Sequence, residues 1–140
     1  MTRRSKMRDL VFKVIFQNEF RNDSIETVLE DILHISKSGL MKADITRYVK
    51  GIYENLPSID EKISLCLENW SLQRLSLVDR SILRLATYEL LYESDVPIEV
   101  TLDEAVEIAK KYGTENSSKF VNGVLDKVAK SFAPEEKRYI

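Results

Sequence analysis

The sequence predicts an all-α protein of about seven helices arranged as two small packed bundles, and three observations carry that reading. Apolar residues recur at helical spacing along nearly the whole chain, the pattern of amphipathic helices that turn one face to a core. Nothing alternates with period two for long enough to argue a sheet; the one strand-like run, Val96 to Val100, contains Pro97 and reads as an extended connection. The composition, 44% apolar and 31% charged with four glycines and three prolines in 140 residues, is that of a folded helical chain and not of a disordered one.

The elements follow in order. A first helix over 6–20 has Met7, Leu10, Val11 and Val14 as its core stripe, with Arg8, Phe12 and Phe16 in a row beside it. Helices over 24–36, 58–68 and 76–93 each start where an N-cap acceptor (Asp23, Ser58, Ser76) stands three residues before an acid (Glu26, Glu61, Asp79). Another helix fills 41–55. Thr101-Leu102-Asp103-Glu104 reads as a capping box that opens a helix over 101–112, with Lys110 and Lys111 in its last turn and Gly113 placed for a left-handed C-cap. The last helix, 117–131, carries Phe120, Val121, Val124, Leu125 and Val128; Gly123 inside it is expected to let another backbone come close. Pro57 divides the single domain, 1–140, into a three-helix part (1–56) and a four-helix part (58–140). Trp70 is expected to lock the core, His34 to pack, and the polar tail after Pro134 to fray.

Composition excludes several functions. Cys66 is the only cysteine and His34 the only histidine, so no internal disulfide forms and no zinc site has enough ligands; Cys66 reads as a buried inert thiol. No phosphate-binding glycine loop and no supported nucleophile set occurs, and no cofactor is implied, so the chain is read as non-enzymatic. No apolar run is long enough to cross a bilayer and the basic N-terminus lacks a signal-peptide core, which reads as cytoplasmic. A net charge of −2 argues against indiscriminate coating of nucleic acid, so any such site must be local.

One local candidate exists. Arg3, Arg4, Lys6, Arg8 and Lys13 fall in the first thirteen residues against a single acid, Asp9, and the row through Arg8, Phe12 and Phe16 sets a guanidinium beside two rings. Cations that hold phosphates beside planes that stack on unpaired bases suit single-stranded RNA. A second point of interest is Glu89, which projects from the core face of the 76–93 helix. It needs either internal hydrogen-bond donors or a partner that supplies them. Tyr88 and Tyr92, one turn apart, lie beside it.

The segments Leu102 to Lys110 (LDEAVEIAK), Lys119 to Asp126 (KFVNGVLD) and Asp79 to Leu90 (DRSILRLATYEL) resemble the signature runs of the NusB family of bacterial transcription antitermination factors. The resemblance covers nearly the whole chain and implies the family's two-bundle helical fold. It also implies binding of the single-stranded boxA element of ribosomal RNA transcripts through the N-terminal basic segment (Arg3, Arg4, Lys6, Arg8), Phe16, and Lys119, Phe120 and Asn122 of the K-F-V-N-G run. Phe16 stands where the family often has a tyrosine, which keeps stacking but removes a phenol hydrogen bond. Asp79, Tyr88 and Glu89 are by the same resemblance candidates for contact with the ribosomal small-subunit protein NusE, within a complex that keeps RNA polymerase processive through ribosomal RNA operons. Two rivals stand beside this reading: a protein-only helical interaction adaptor, and an isolated RNA-targeting module like the one fused to RNA cytosine methyltransferases. A homodimer would hide the basic edge, although nothing in the periodicity compels one.

Overall fold

The structure, a computed structural model, describes residues 2–36 and 41–139; Ile140, at the end of the tail, lies outside them. Among the described residues there are seven α-helices and no strand. α1 (Arg3–Asn18) starts three residues earlier than the spacing predicts, because the Thr2 hydroxyl accepts the Ser5 N–H at 3.0 Å and caps it. α2 (Ile25–Ser36) is capped by Ser24, whose Oγ accepts the Thr27 N–H at 3.2 Å; the expected cap, Asp23, is instead drawn to Arg21 at 2.7 Å. α3 (Lys42–Glu54) and α4 (Leu56–Leu65) are separated by Asn55 alone. Pro57 therefore sits in the first turn of α4, where its missing N–H forfeits no helix bond, and Ser58 lies inside the helix and accepts from Lys62 Nζ at 2.8 Å.

α5 (Leu77–Tyr92) begins at Ser76 as read, with Ser76 Oγ accepting the Asp79 N–H at 3.1 Å. α6 (Ile98–Tyr112) does not begin at the capping box. Pro97, extended at φ −61°, is its N-cap, and Thr101 lies buried one turn inside with its hydroxyl committed to Glu89. Gly113, which follows α6, is extended (φ −92°, ψ −168°) and not left-handed. Glycine is needed there for room: a Cβ would stand 2.4 Å from Ser117 Oγ and 2.8 Å from the Ala109 carbonyl oxygen. α7 (Ser117–Phe132) follows.

α5 is the axle of the fold and packs on α1, α3, α4, α6 and α7. Its Ile82, Leu83 and Leu90 are fully buried in one continuous core that runs from Val11 and Ile15 of α1 through Ile52 and Ile59 to Leu125 and Val128 of α7. Each such side chain contributes roughly 1.5–3 kcal/mol by leaving water. Arg84 of α5 ties the elements further, pairing with Asp60 of α4 at 2.9 Å and with Glu19 beyond α1.

The tail is not frayed. Glu135–Tyr139 forms a 3-10 turn that buries Lys137, whose Nζ donates to the carbonyls of Glu89 (2.9 Å) and Leu90 (3.2 Å) in the last turn of α5. Helix ends leave carbonyls short of partners, which explains why a lysine is drawn inward. His34 and Trp70, both expected to pack, are exposed: His34 lies with exposed Ile35 on the outer face of α2, whose core face is Val28, Leu29 and Ile32, and Trp70 stands in the polar connection after α4. Cys66 is buried as expected, and burial pushes its thiol up.

Candidate nucleic-acid interface

The N-cap at Thr2 makes Arg3, Arg4 and Lys6 part of an exposed helical turn. Arg4 reaches Asp95 at 3.2 Å. Arg3 and Arg4 border a cleft of about 280 Å³ whose far wall holds Arg47, itself fixed by Glu93 (2.9 Å) and Asp44 (2.8 Å). These two carboxylates hold the Arg47 guanidinium above its ordinary pKa. Cations are thus gathered at one end of α1.

Arg8 departs from that group. It is 3% exposed, and its Nε donates to both oxygens of Glu89 at 2.8 and 3.1 Å. Glu89, 1% exposed, also accepts from the Tyr48 hydroxyl (2.5 Å) and the Thr101 hydroxyl (2.5 Å), so its internal partners are complete and come from α1, α3 and α6. Burial and the adjacent carboxylate push the Tyr48 phenol far up, so it stays a donor. Arg8 and Glu89 therefore hold α1 to α5, and neither presents its charge to solvent. Tyr88 is likewise buried, donating to Glu93 at 2.7 Å. Of the three residues expected to meet a protein partner, only Asp79, half-buried in the first turn of α5, stands near the surface; Tyr92 is the exposed tyrosine of the pair.

The aromatic row of α1 climbs from core to solvent. Phe12 is buried and stacks on Tyr112 (centroids 4.9 Å apart) and on Phe16 (5.7 Å). Phe16 is half-buried, and Phe20 meets it edge-on at 5.3 Å while standing in water. Along the same edge, Asp9 is ringed by donors: the Tyr112 hydroxyl at 2.8 Å, Lys111 at 3.2 Å and Lys13 at 3.3 Å. Burial raises its carboxyl, but these donors outweigh burial and leave it below the ordinary value.

Lys119, Phe120 and Asn122 occupy the first half of α7. Lys119 and Asn122 are exposed and Phe120 is half-buried. Lys119 and Phe120 border a second cleft, about 470 Å³, whose opposite wall is the connection after α4 with Trp70. The structure thus sets Arg3 and Arg4 on one cleft, at the start of α1, and Lys119 and Phe120 on another, at α7, while Lys6, Arg8, Phe16 and Asn122 line neither. Sequence reasoning set Trp70 in the core and did not single out Phe20 or Arg47, all three of which stand exposed. The signal for Trp70 was its setting, Glu68-Asn69-Trp70-Ser71, a tryptophan in a polar run. Among the described residues, no cluster of His, Cys, Asp or Glu could hold a metal and no helix is long and apolar enough to cross a membrane.

A family model described as the NusB family matches residues 5–130. The transcription antitermination protein NusB of Thermotoga sp. (strain RQ2) is 62% identical over 137 residues, covering 97% of this chain and 96% of that protein. The protein of the same name from Fervidobacterium nodosum is 50% identical over 137 residues, covering 98% and 97%. Among solved structures, T. maritima NusB superposes with a TM-score of 0.94 at 59% identity over 99% of both chains. A chain from a structure of the antitermination factors NusB and NusE in complex with double-stranded RNA superposes at 0.86, with 27% identity, over 94% of this chain and 100% of the other.

Proposed function

This chain belongs to the NusB family of transcription antitermination proteins, and on that premise we propose that it binds the boxA element of ribosomal RNA transcripts together with NusE, in the cytoplasm. The assembly keeps RNA polymerase processive through ribosomal RNA operons. The observation that supports partnership with NusE and RNA is the superposition, over nearly the whole chain, on a chain from a structure of NusB and NusE with double-stranded RNA; the boxA element is the finer step of the proposal. The surface supports it: Arg3, Arg4 and Lys6 offer exposed cations at the start of α1, and Lys119, Phe120 and Asn122 offer a cation, a ring and an amide on α7. Phe16 and Phe20 give the edge of α1 planes on which unpaired bases stack.

Arg8 enters this function as a positioning residue. Through Glu89 it fixes the face of α1 from which its neighbours Arg4 and Lys6 project. Asp79, half-buried in the first turn of α5, is the part of the expected protein contact nearest the surface; Tyr88 and Glu89 act on such a surface only through neighbours. A chain with net charge −2 gains only a few phosphate contacts, so RNA and NusE must bind cooperatively.

The test is fluorescence anisotropy of a labelled boxA-like single-stranded RNA, titrated with the protein alone and with NusE. Salt-sensitive binding that tightens with NusE is expected. The variant Arg3→Glu/Arg4→Glu/Lys6→Glu, altered only at exposed positions, is expected to lose it. Unchanged affinity in that variant would move the RNA site away from the start of α1, and no RNA binding with or without NusE favours the protein-only adaptor.

A further inference from the structure

We propose that the cleft between Trp70 and α7 seats one unpaired base, with Trp70 as its stacking plane and Gly123 as the gap that lets the nucleotide approach the helix. The proposal rests on the RNA-binding reading above and extends it to the connection between α4 and α5, which no sequence motif implicates.

Three independent features meet in this cleft. Trp70, the only tryptophan of the chain, is 59% exposed, and its neighbours Glu68, Asn69 and Ser71 are polar and exposed. A large ring left in water beside a cleft is what a stacking platform needs before its ligand arrives. Across from it stand Phe120, which supplies a second ring, and Lys119 and Lys127, which supply cations at the rim. Lys127 is paired with Glu68 at 2.6 Å, but both partners are exposed, and such a pair gives way readily to a phosphate.

The third feature is Gly123. It sits in the middle of α7, where glycine is less favourable than alanine, and it lines the same cleft. The expectation that it admits a neighbouring backbone fails: a Cβ built there meets no heavy atom within 4 Å. Nothing inside the protein therefore calls for a glycine at this position. A ligand that lies against α7 does, because a methyl group would take up room in the cleft that Trp70 and Lys119 also line. The pairing of two rings with two lysines selects a nucleotide as that ligand over an acidic or apolar peptide.

The experiment uses the intact protein and a boxA-like single-stranded RNA, reading anisotropy of labelled RNA for overall binding and Trp70 emission with unlabelled RNA for the seat. Emission is expected to be quenched with the same midpoint as the anisotropy rise. Trp70→Ala is expected to weaken binding about tenfold, the scale of one lost base stack. Gly123→Ala is expected to weaken binding while raising the thermal midpoint, a combination that misfolding cannot produce. An anisotropy rise with unchanged emission and wild-type affinity in both variants overturns the seat and leaves the RNA reading intact. No anisotropy change at low salt, with or without NusE, overturns both.

Discussion

Removing the Glu89 carboxylate takes from Arg8, which is 3% exposed, its closest counter-charge and leaves Glu104 at 3.7 Å. Glu89→Ala is therefore expected to lower stability by about 3 kcal/mol, the lower end of the scale for a buried pair broken from one side. Glu89→Gln, which keeps an oxygen for one of the two hydroxyls that Tyr48 and Thr101 donate to separate carboxylate oxygens, should lose less, and Arg8→Met combined with Glu89→Leu should recover much of the deficit. Urea denaturation of the set checks this; additive losses in the double variant would mean the two residues are not coupled. Asp9 supplies a pH dependence. Its folded carboxyl lies below the ordinary 3.8, so its contribution is present above that pH and is lost as pH falls through the lower folded value. Asp9→Asn is expected to be less stable at neutral pH, by about 1–2 kcal/mol, and to show a shallower loss in acid. The demand Glu89 makes for partners was legible, because a carboxylate on a core stripe must be satisfied. Its partners were not: Arg8 and Tyr48 lie 81 and 41 residues away, and periodicity carries no information over that distance.

Helix bodies were legible for the opposite reason, since each is written in residues three and four apart. Their ends were less so. Thr101 to Glu104 satisfies every local rule for a helix start, yet the helix begins at Ile98, because Pro97 can open it and the buried Glu89 claims the Thr101 hydroxyl. The tail read as polar and loose because its buried anchoring contact, Lys137 to the end of α5, again spans nearly fifty residues of sequence. Burial lowers the Lys137 pKa, opposed by the nearby acids Glu89, Asp95 and Glu93. Lys137→Met is expected to take the side-chain donor from the Glu89 and Leu90 carbonyls, of which Glu89 keeps the Glu93 N–H at 3.2 Å, at a loss of about 1 kcal/mol, and to speed hydrogen exchange in the last turn of α5 and not in α2. The two helix-associated glycines of the last two helices should respond with opposite signs. Gly113→Ala meets Ser117 and the Ala109 carbonyl at once and should destabilise, whereas Gly123→Ala meets nothing and should stabilise by about 1 kcal/mol. Thermal unfolding of the two variants side by side separates a glycine kept for packing from one kept for something outside the protein.

For the whole molecule the governing quantity is charge. With a net charge of −2, long-range attraction to RNA is weak, so affinity must come from the few cations that reach phosphates. Each such contact on a single strand contributes about −0.7 to the slope of log affinity against log salt, so Arg3, Arg4, Lys6 and Lys119 together predict a slope near −3. A slope near −1 would mean that the α1 cluster stays paired within the protein. The modest slope also fixes what NusE must do. If NusE tightens RNA binding by some factor, linkage requires RNA to tighten NusE binding by the same factor, whichever residues carry the contact. Calorimetry around the four sides of that cycle should close. The Glu89→Gln variant, whose surface charges are unchanged but whose hold on α1 is loosened, should weaken the RNA side and flatten the salt slope, because Arg4 and Lys6 then meet fewer phosphates. Wild-type affinity and slope in a variant that is less stable would instead show that the buried pair only stabilises the fold, so one cycle distinguishes a cluster that orients the interface from one that does not.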